Sequence, residues 1–259
     1  MRERYLKVAE LSQRFSVSQM SIRRDLHLLE QQGLLRRVHG GMVATPLARL
    51  GLEISPQLIA HLNEQASVKA EIACAAAALI QPGDHLIFDN GSLSYLTACA
   101  LSGDLLTQGD LAVITNSIPI TLELAPWPGV ETILLGGVYE PASTMSTTGA
   151  STLRSLDGLH ADKMFLTAAT IDLQDGVVLM PEHGESRLAK RMIAACSRVI
   201  LLAPGSKVGR AVVGEALCLS AGDTLVTDQE CPAGFVSALG QHGIDVIQAQ
   251  KLPRKVLCL

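Results

Sequence analysis

Apolar positions near the start of the chain recur at helical spacing. Val8, Leu11 and Phe15 predict a short helix over residues 8–15, and Ile22, Leu26 and Leu29 predict a second after a turn at Ser16-Val17-Ser18. Ser18 is placed to cap that second helix and Gly33 to end it. The period then changes to two: residues 34–38 and 42–44 alternate as strands of a hairpin that turns at Gly40-Gly41. Residues 46–57, rich in proline and mixed in polarity, read as a linker between a first unit over 1–45 and a second over 58–259.

Beyond the linker, apolar runs too short to be surface helices alternate with longer helical patterns. A helix over 58–80 stops at Gln81-Pro82-Gly83-Asp84. Strands are expected at 85–88, 111–114, 130–135, 163–168, 198–203 and 224–227, and helices at 93–101, 119–124, about 185–196 and 232–242. Such strand–loop–helix alternation predicts an α/β body, doubly wound around a mostly parallel sheet.

Composition agrees with a large apolar core: 48% of residues are hydrophobic and 18% charged. The longest apolar run, 72–80, is far short of the roughly 20 residues that span a bilayer. No secretory leader pattern opens the chain, and the six scattered cysteines suit reduced thiols, so a cytoplasmic protein without membrane contact is expected. The net charge of −4 divides unevenly, +4 over residues 1–42 and −8 over the rest. A basic module on an acidic body fits an end that meets a polyanion.

Two sets of side chains carry candidate chemistry. In the first unit, Ser18, Gln19, Ser21, Arg23 and Arg24 stand at the start of the second helix, where hydroxyl, amide and guanidinium groups reach phosphates and base edges. Arg36, Arg37 and His39 on the hairpin suit the backbone or minor groove of double-stranded DNA. In the body, Asp89-Asn90-Gly91-Ser92, Thr115-Asn116-Ser117, Gly136-Gly137 and Gly205-Ser206-Lys207 occupy strand ends. Ligands gather there in parallel sheets, and small residues let N–H groups approach an anion. Lys207 supplies the compensating charge. Glu182, His183 and Glu185 lack metal-ligand spacing, and Lys190 faces either the ligand or solvent. No catalytic, cofactor or metal site is expected.

The run VAELSQRFSVSQMSIRRDLHLLEQQGLLRRVHGG resembles the helix-turn-helix of the DeoR family of bacterial transcriptional repressors, over residues 5–41. The body resembles that family's sensor domain, itself related to ribose-5-phosphate isomerase, through KAEIACAAAALIQPGDHLIFDNGS, VITNS, LLGG, GESRLAKRMI and LLAPGSKVG. The resemblance implies operator DNA, a phosphorylated sugar as effector, and self-association as dimer or tetramer. It also implies a helix of about fifteen residues before Leu6, and hence a start upstream of Met1. Two loops depart from the family pattern: Leu93 replaces a threonine after Ser92, and Pro204 replaces an aspartate before Gly205-Ser206-Lys207. The alternative is a sugar-phosphate isomerase or deaminase-like enzyme using Asp89, Asp172, Glu185 and Lys207, but no compact acid–base signature accompanies them.

Overall fold

Alternation along the strands of the body sends successive side chains into two separate cores. Leu86 and Phe88 enter one, with Phe165, Ile200 and Leu202; Ile87 enters the other, with Met164, Leu166, Val199 and Leu201. Strands buried on both faces require helices on both faces. A computed structural model shows this arrangement; it describes residues 7–31, 34–38, 41–44, 54–142, 144–172, 177–180, 183–209 and 215–252.

The body's main sheet comprises β3 (His85–Phe88), β4 (Leu111–Thr115), β5 (Val130–Leu134), β8 (Ala161–Thr167), β11 (Cys196–Leu202), β13 (Thr224–Thr227) and β14 (Asp245–Gln248). Their order is β14-β13-β11-β8-β3-β4-β5, and every pairing is parallel. Helices α4 (Ala66–Ala77), α5 (Ser92–Cys99) and α7 (Ile118–Leu124) pack on the Phe88 face. Helices α9 (His183–Ala194) and α10 (Ala233–Gln241) cover the Ile87 face. The expected doubly wound sheet is therefore present.

Strand order reverses between β3 and β8. From β3 the chain winds outward through β4 and β5; from β8 it winds the other way through β11, β13 and β14. Phe88 and Phe165 are paired across this seam, their rings stacked with centroids 4.8 Å apart. Loops leaving β3 and β8 must diverge here, opening a crevice at the carboxyl ends of the strands.

Several expectations need correction. The helix foreseen over 58–80 is two helices, α3 (Pro56–Asn63) and α4, and α3 starts inside the stretch read as linker, capped by Ser55 Oγ accepting from Leu58 N at 3.1 Å. The break falls at Glu64-Gln65, where Gln65 takes a left-handed conformation at φ 52°. Periodicity missed it because the apolar positions continue in phase across the joint. Unforeseen were α6 (Gly103–Gln108), α8 (Ala150–Arg154), the hairpin β6 (Val138–Glu140) and β7 (Ser146–Thr148), and β14. A small antiparallel sheet of β9 (Thr170–Asp172), β10 (Val177–Met180) and β12 (Glu215–Cys218) was also unforeseen.

The N-terminal elements follow the sequence closely. Helix α1 (Val8–Phe15) turns through Ser16, at φ 54°, into α2 (Gln19–Gln31). Strands β1 (Leu35–Val38) and β2 (Gly41–Ala44) pair antiparallel. Ile22, Leu26, Leu35 and Met42 form their buried core, with Val8, Leu11 and Leu29 packed against it. The turn position is a correction: Gly41 pairs with Val38 inside the ladder, so it belongs to β2 and not to the turn. Leu6, Gly33, His39 and Gly40 lie outside the described residues.

Candidate functional site: a switch-point cavity and a winged helix

Asp89 leaves β3 at the reversal and ties it to β8. Its Oδ2 accepts from Thr167 N at 2.9 Å, and its Oδ1 accepts from Gly91 N at 3.1 Å and from Thr167 Oγ1 at 3.3 Å. Burial raises the carboxyl above the usual range, while the hydrogen bonds from Ser94, Thr167 and Gly91 oppose that shift. Both oxygens are committed to the loop, so Asp89 shapes the crevice. Gly91 turns into α5 against Thr167 with no space for a side chain: a Cβ there would lie 2.1 Å from Thr167 Oγ1.

A cavity of about 200 Å³ opens above this seam, lined by Asp89, Asn90, Gly91, Ser92 and Leu93 after β3 and by Thr167, Ala168 and Ala169 after β8. His61, Glu64 and Lys69 line it from the α3–α4 side, with Thr144, Pro204 and Lys207. That volume is below the roughly 300–1,000 Å³ of pockets for drug-sized ligands, and suits a compact molecule. Asn90 is held by donating from Nδ2 to Thr144 Oγ1 at 2.5 Å and Ser146 Oγ at 3.0 Å.

Lys69 is the residue that sequence reasoning missed. It projects from the Ala-rich α4 and is 4% exposed. Its Nζ donates to Ser92 Oγ at 3.2 Å and to the His61 carbonyl, with Glu64 Oε2 at 3.9 Å. Burial pushes its ammonium down to about 8; Glu64 opposes the shift and Lys207 adds to it. Lys207, on the 3₁₀ turn Gly205–Lys207 after β11, has Nζ 3.5 Å from Glu64 Oε1. Two ammonium groups and one carboxylate thus meet at the cavity. The available signal is a lone cation at the head of the stretch Ala70-Glu71-Ile72-Ala73-Cys74-Ala75-Ala76-Ala77, which is apolar but for Glu71 and packs into the core.

Of the sequence-predicted loops, 89–92 and Lys207 come together at the cavity. Thr115, Asn116 and Ser117 are not in its lining. Thr115 Oγ1 accepts from Ser117 N at 3.0 Å, Asn116 Nδ2 donates to Thr147 O at 3.0 Å, and Ser117 Oγ accepts from Ile120 N at 3.4 Å as the cap of α7. Gly136 and Gly137 are also outside the lining; a Cβ on Gly137 would meet Thr152 Oγ1 at 2.0 Å. Lys190 is exposed on α9; Glu182 and the side chains of His183 and Glu185 lie outside the described residues. Among the described residues no group of His, Cys, Asp and Glu is arranged to hold a metal.

At the N-terminal module Ser18 caps α2, its Oγ accepting from Ser21 N at 3.1 Å and lying 3.0 Å from Ser21 Oγ. Gln19, Arg23 and Arg24 are exposed along the same helix. Arg24 makes a loose contact with Asp25, 3.8 Å at the surface, which leaves its guanidinium accessible. Arg36 and Arg37 stand on β1 opposite Val43 and Met42.

A winged helix-turn-helix joined to an α/β body whose switch-point cavity holds two lysines defines a DNA-binding regulator with a sensor domain. Profiles of known families agree: the DeoR-like helix-turn-helix domain matches residues 1–46, and the DeoR C terminal sensor domain matches residues 64–229. The chain belongs to the DeoR family of transcriptional regulators.

A protein named as an aga operon transcriptional repressor, from Escherichia coli O157:H7, is 31% identical over 93% of this chain and 87% of its own length. The HTH-type transcriptional repressor GlcR of Bacillus subtilis (strain 168) is 30% identical over 91% and 86%. The glycerol-3-phosphate regulon repressor of Escherichia coli (strain K12) is 29% identical over 93% and 92%. Among solved structures, ribose 5-phosphate isomerase A from Methanocaldococcus jannaschii overlaps 54% of this chain and 53% of that one, at TM-score 0.39 and 16% identity.

Proposed function

We propose that this protein represses a carbohydrate-metabolism operon and is released or retained on its operator by a small phosphorylated sugar. One observation carries the reading: Lys69 and Lys207 converge on a compact cavity at the sheet's switch point, in a chain with a DeoR-type helix-turn-helix. Residues 1–45 are the DNA-binding unit, 46–54 the connection, and the effector unit begins at Ser55, the cap of α3. Ser18, Gln19, Ser21, Arg23, Arg24, Arg36, Arg37 and His39 meet the duplex. Asp89, Asn90, Gly91, Ser92 and Lys207, joined by Lys69, form the effector site, with the ammonium groups on the phosphate and Ser92 as a hydroxyl donor.

The names of the relatives support the sugar class, since they concern the aga operon and the glycerol-3-phosphate regulon. Regulation in place of catalysis is supported by Asp89, whose oxygens are both engaged with the loop and so are poorly placed to take a proton from a substrate. The protein acts in the cytoplasm as a homo-oligomer, so that two winged helices read half-sites about 10 bp, or a multiple, apart.

The test is binding of the full-length protein to DNA upstream of its own gene, followed by fluorescence anisotropy across a salt series, with and without candidate sugar phosphates. Salt-sensitive binding that one sugar phosphate shifts is the expected result. Binding that no sugar phosphate changes refutes the effector assignment, and absence of salt-sensitive binding refutes the regulator.

A further inference from the structure

The cavity's two cations already face an anion belonging to the protein. Glu64 Oε1 lies 3.5 Å from Lys207 Nζ, and Glu64 Oε2 lies 3.9 Å from Lys69 Nζ. One carboxylate thus spans both ammonium groups, as the oxygens of an incoming phosphate must. Both separations are beyond hydrogen-bond length, and the Glu64 side chain is half exposed, so the contact is loose enough to be displaced. The placement of Glu64 is unusual too. It closes α3, and the following Gln65 adopts a left-handed conformation to begin α4. Gln65 Nε2 donates to Ser206 Oγ at 3.1 Å, and Ser206 Oγ donates back to Gln65 Oε1 at 3.3 Å. The α3–α4 joint is therefore fastened to the turn carrying Lys207 by one ion pair and one amide–hydroxyl pair.

We propose that Glu64 is a built-in competitor for the anionic group of the ligand, holding the α3–α4 joint to the Lys207 turn until that group displaces its carboxylate. The inference rests on the effector site described above and adds its regulation. A carboxylate has one negative charge and a phosphate monoester close to two at neutral pH, so both lysines favour the exchange. Displacement frees Glu64 into solvent and removes one of the two fasteners at the joint. Helix α3 is the first element of the body, so the change is delivered to the end of the body that the connection from the wing enters.

The experiment is isothermal titration of the full-length protein with inorganic phosphate. Wild type is compared with Glu64→Gln, Glu64→Ala, Lys69→Met and Lys207→Met, and with Glu71→Gln as a charge control. Glu71 lies on α4, where its Oε1 accepts from Leu252 N at 3.3 Å, away from the ammonium pair. An exposed ion pair is worth up to about 1 kcal/mol, so removing the competitor should tighten phosphate binding by about two- to fivefold in both Glu64 variants. Glu71→Gln should change it little, and both lysine variants should weaken it at least about tenfold.

Equal tightening in Glu71→Gln reduces the effect to net charge and overturns the competitor. So does unchanged or weaker binding in the Glu64 variants while both lysine variants lose it, in which case the effector site stands alone. Phosphate binding that ignores both lysines, or is absent from wild type and the Glu64 variants alike, removes the effector site and the competitor with it. Urea denaturation of each variant separates these outcomes from unfolding.

Discussion

Gly91 and Thr167 approach so closely that the α-carbon at position 91 has no room for a substituent: a Cβ would lie 2.1 Å from Thr167 Oγ1 and 2.2 Å from Thr167 Cβ. Gly91 lies in the loop that leaves β3 and Thr167 ends β8, the two strands where the sheet reverses. Gly91→Ala is therefore expected to cost about 1–3 kcal/mol in urea denaturation and to weaken phosphate binding by distorting the 89–92 loop. Because the clash reaches Thr167 Cβ, adding Thr167→Ser should not restore either property. Wild-type stability and affinity in Gly91→Ala would show that the two loops are not packed as described.

Lys69 predicts opposite effects on stability and binding. Its ammonium is driven from 10.5 to about 8 in the folded chain. Below pH 8 the group is charged in both folded and unfolded states and its burial cost is fully present, on the order of 3 kcal/mol. Between pH 8 and 10.5 the unfolded chain binds the extra proton, so stability rises with pH, and above 10.5 the cost is gone. Lys69→Met should therefore be as stable as wild type or more so at pH 7, with the difference shrinking towards pH 10. Phosphate binding to wild type should weaken as pH rises through about 8, and that dependence should flatten in the variant. Titration calorimetry and urea melts at pH 7, 8.5 and 10 supply both readouts.

The turn that carries Lys207 is fixed from behind. Gly205 N donates to Asp228 Oδ1 at 2.7 Å, and Asp228 is buried. Asp228→Ala leaves a buried N–H without its acceptor and should cost about 1–3 kcal/mol. Phosphate affinity should fall together with stability, although Asp228 does not line the cavity. Retained affinity in a destabilised variant would mean that Lys207 does not depend on this support.

At the other end of the chain, Arg23→Ala should weaken DNA binding while leaving the thermal midpoint unchanged, because Arg23 is exposed on α2. If the contact is to a phosphate, the slope of log affinity against log salt falls by about 1 and all sequences weaken alike; if it is to a base edge, the loss is about 1–3 kcal/mol and confined to the operator. Ser18→Ala should instead cost about 0.5–2 kcal/mol of stability through the lost cap on Ser21 N. Anisotropy on operator and scrambled duplexes distinguishes these, and Arg23→Ala that binds both as wild type does would remove α2 from the interface.

Most of the sheet was readable because burial on both faces leaves continuous apolar runs; β3 and β13 fall at the expected residues, and the other main strands before β14 shift by at most two residues at either end. The helix-turn-helix was readable because cap, stripe and change of period agree. Strands β10 and β12 are as long as β3 and β13 but belong with β9 to a separate antiparallel sheet, and β9 carries no continuous apolar run to mark it. Thr115-Asn116-Ser117 reads as a ligand loop in the sequence, and small hydroxyl and amide residues at a strand end serve equally well to cap the next helix, as Ser117 does. Lys69 was passed over because a lysine in a helix ordinarily extends its ammonium into water. Its burial arises from Ser92, His61 and Glu64, which approach it only in the folded chain.

The reversal between β3 and β8 also bears on how far a bound ligand holds the sheet together. Its two loops are separated by more than seventy residues of chain and meet across a seam paired at Leu86–Lys163, Ile87–Met164 and Phe88–Phe165. A ligand bridging that seam acts as a clasp between the halves of the sheet, and it favours the closed form by mass action. Under the proposed function, the metabolite that sets occupancy of the operator also raises the stability of the body that binds it.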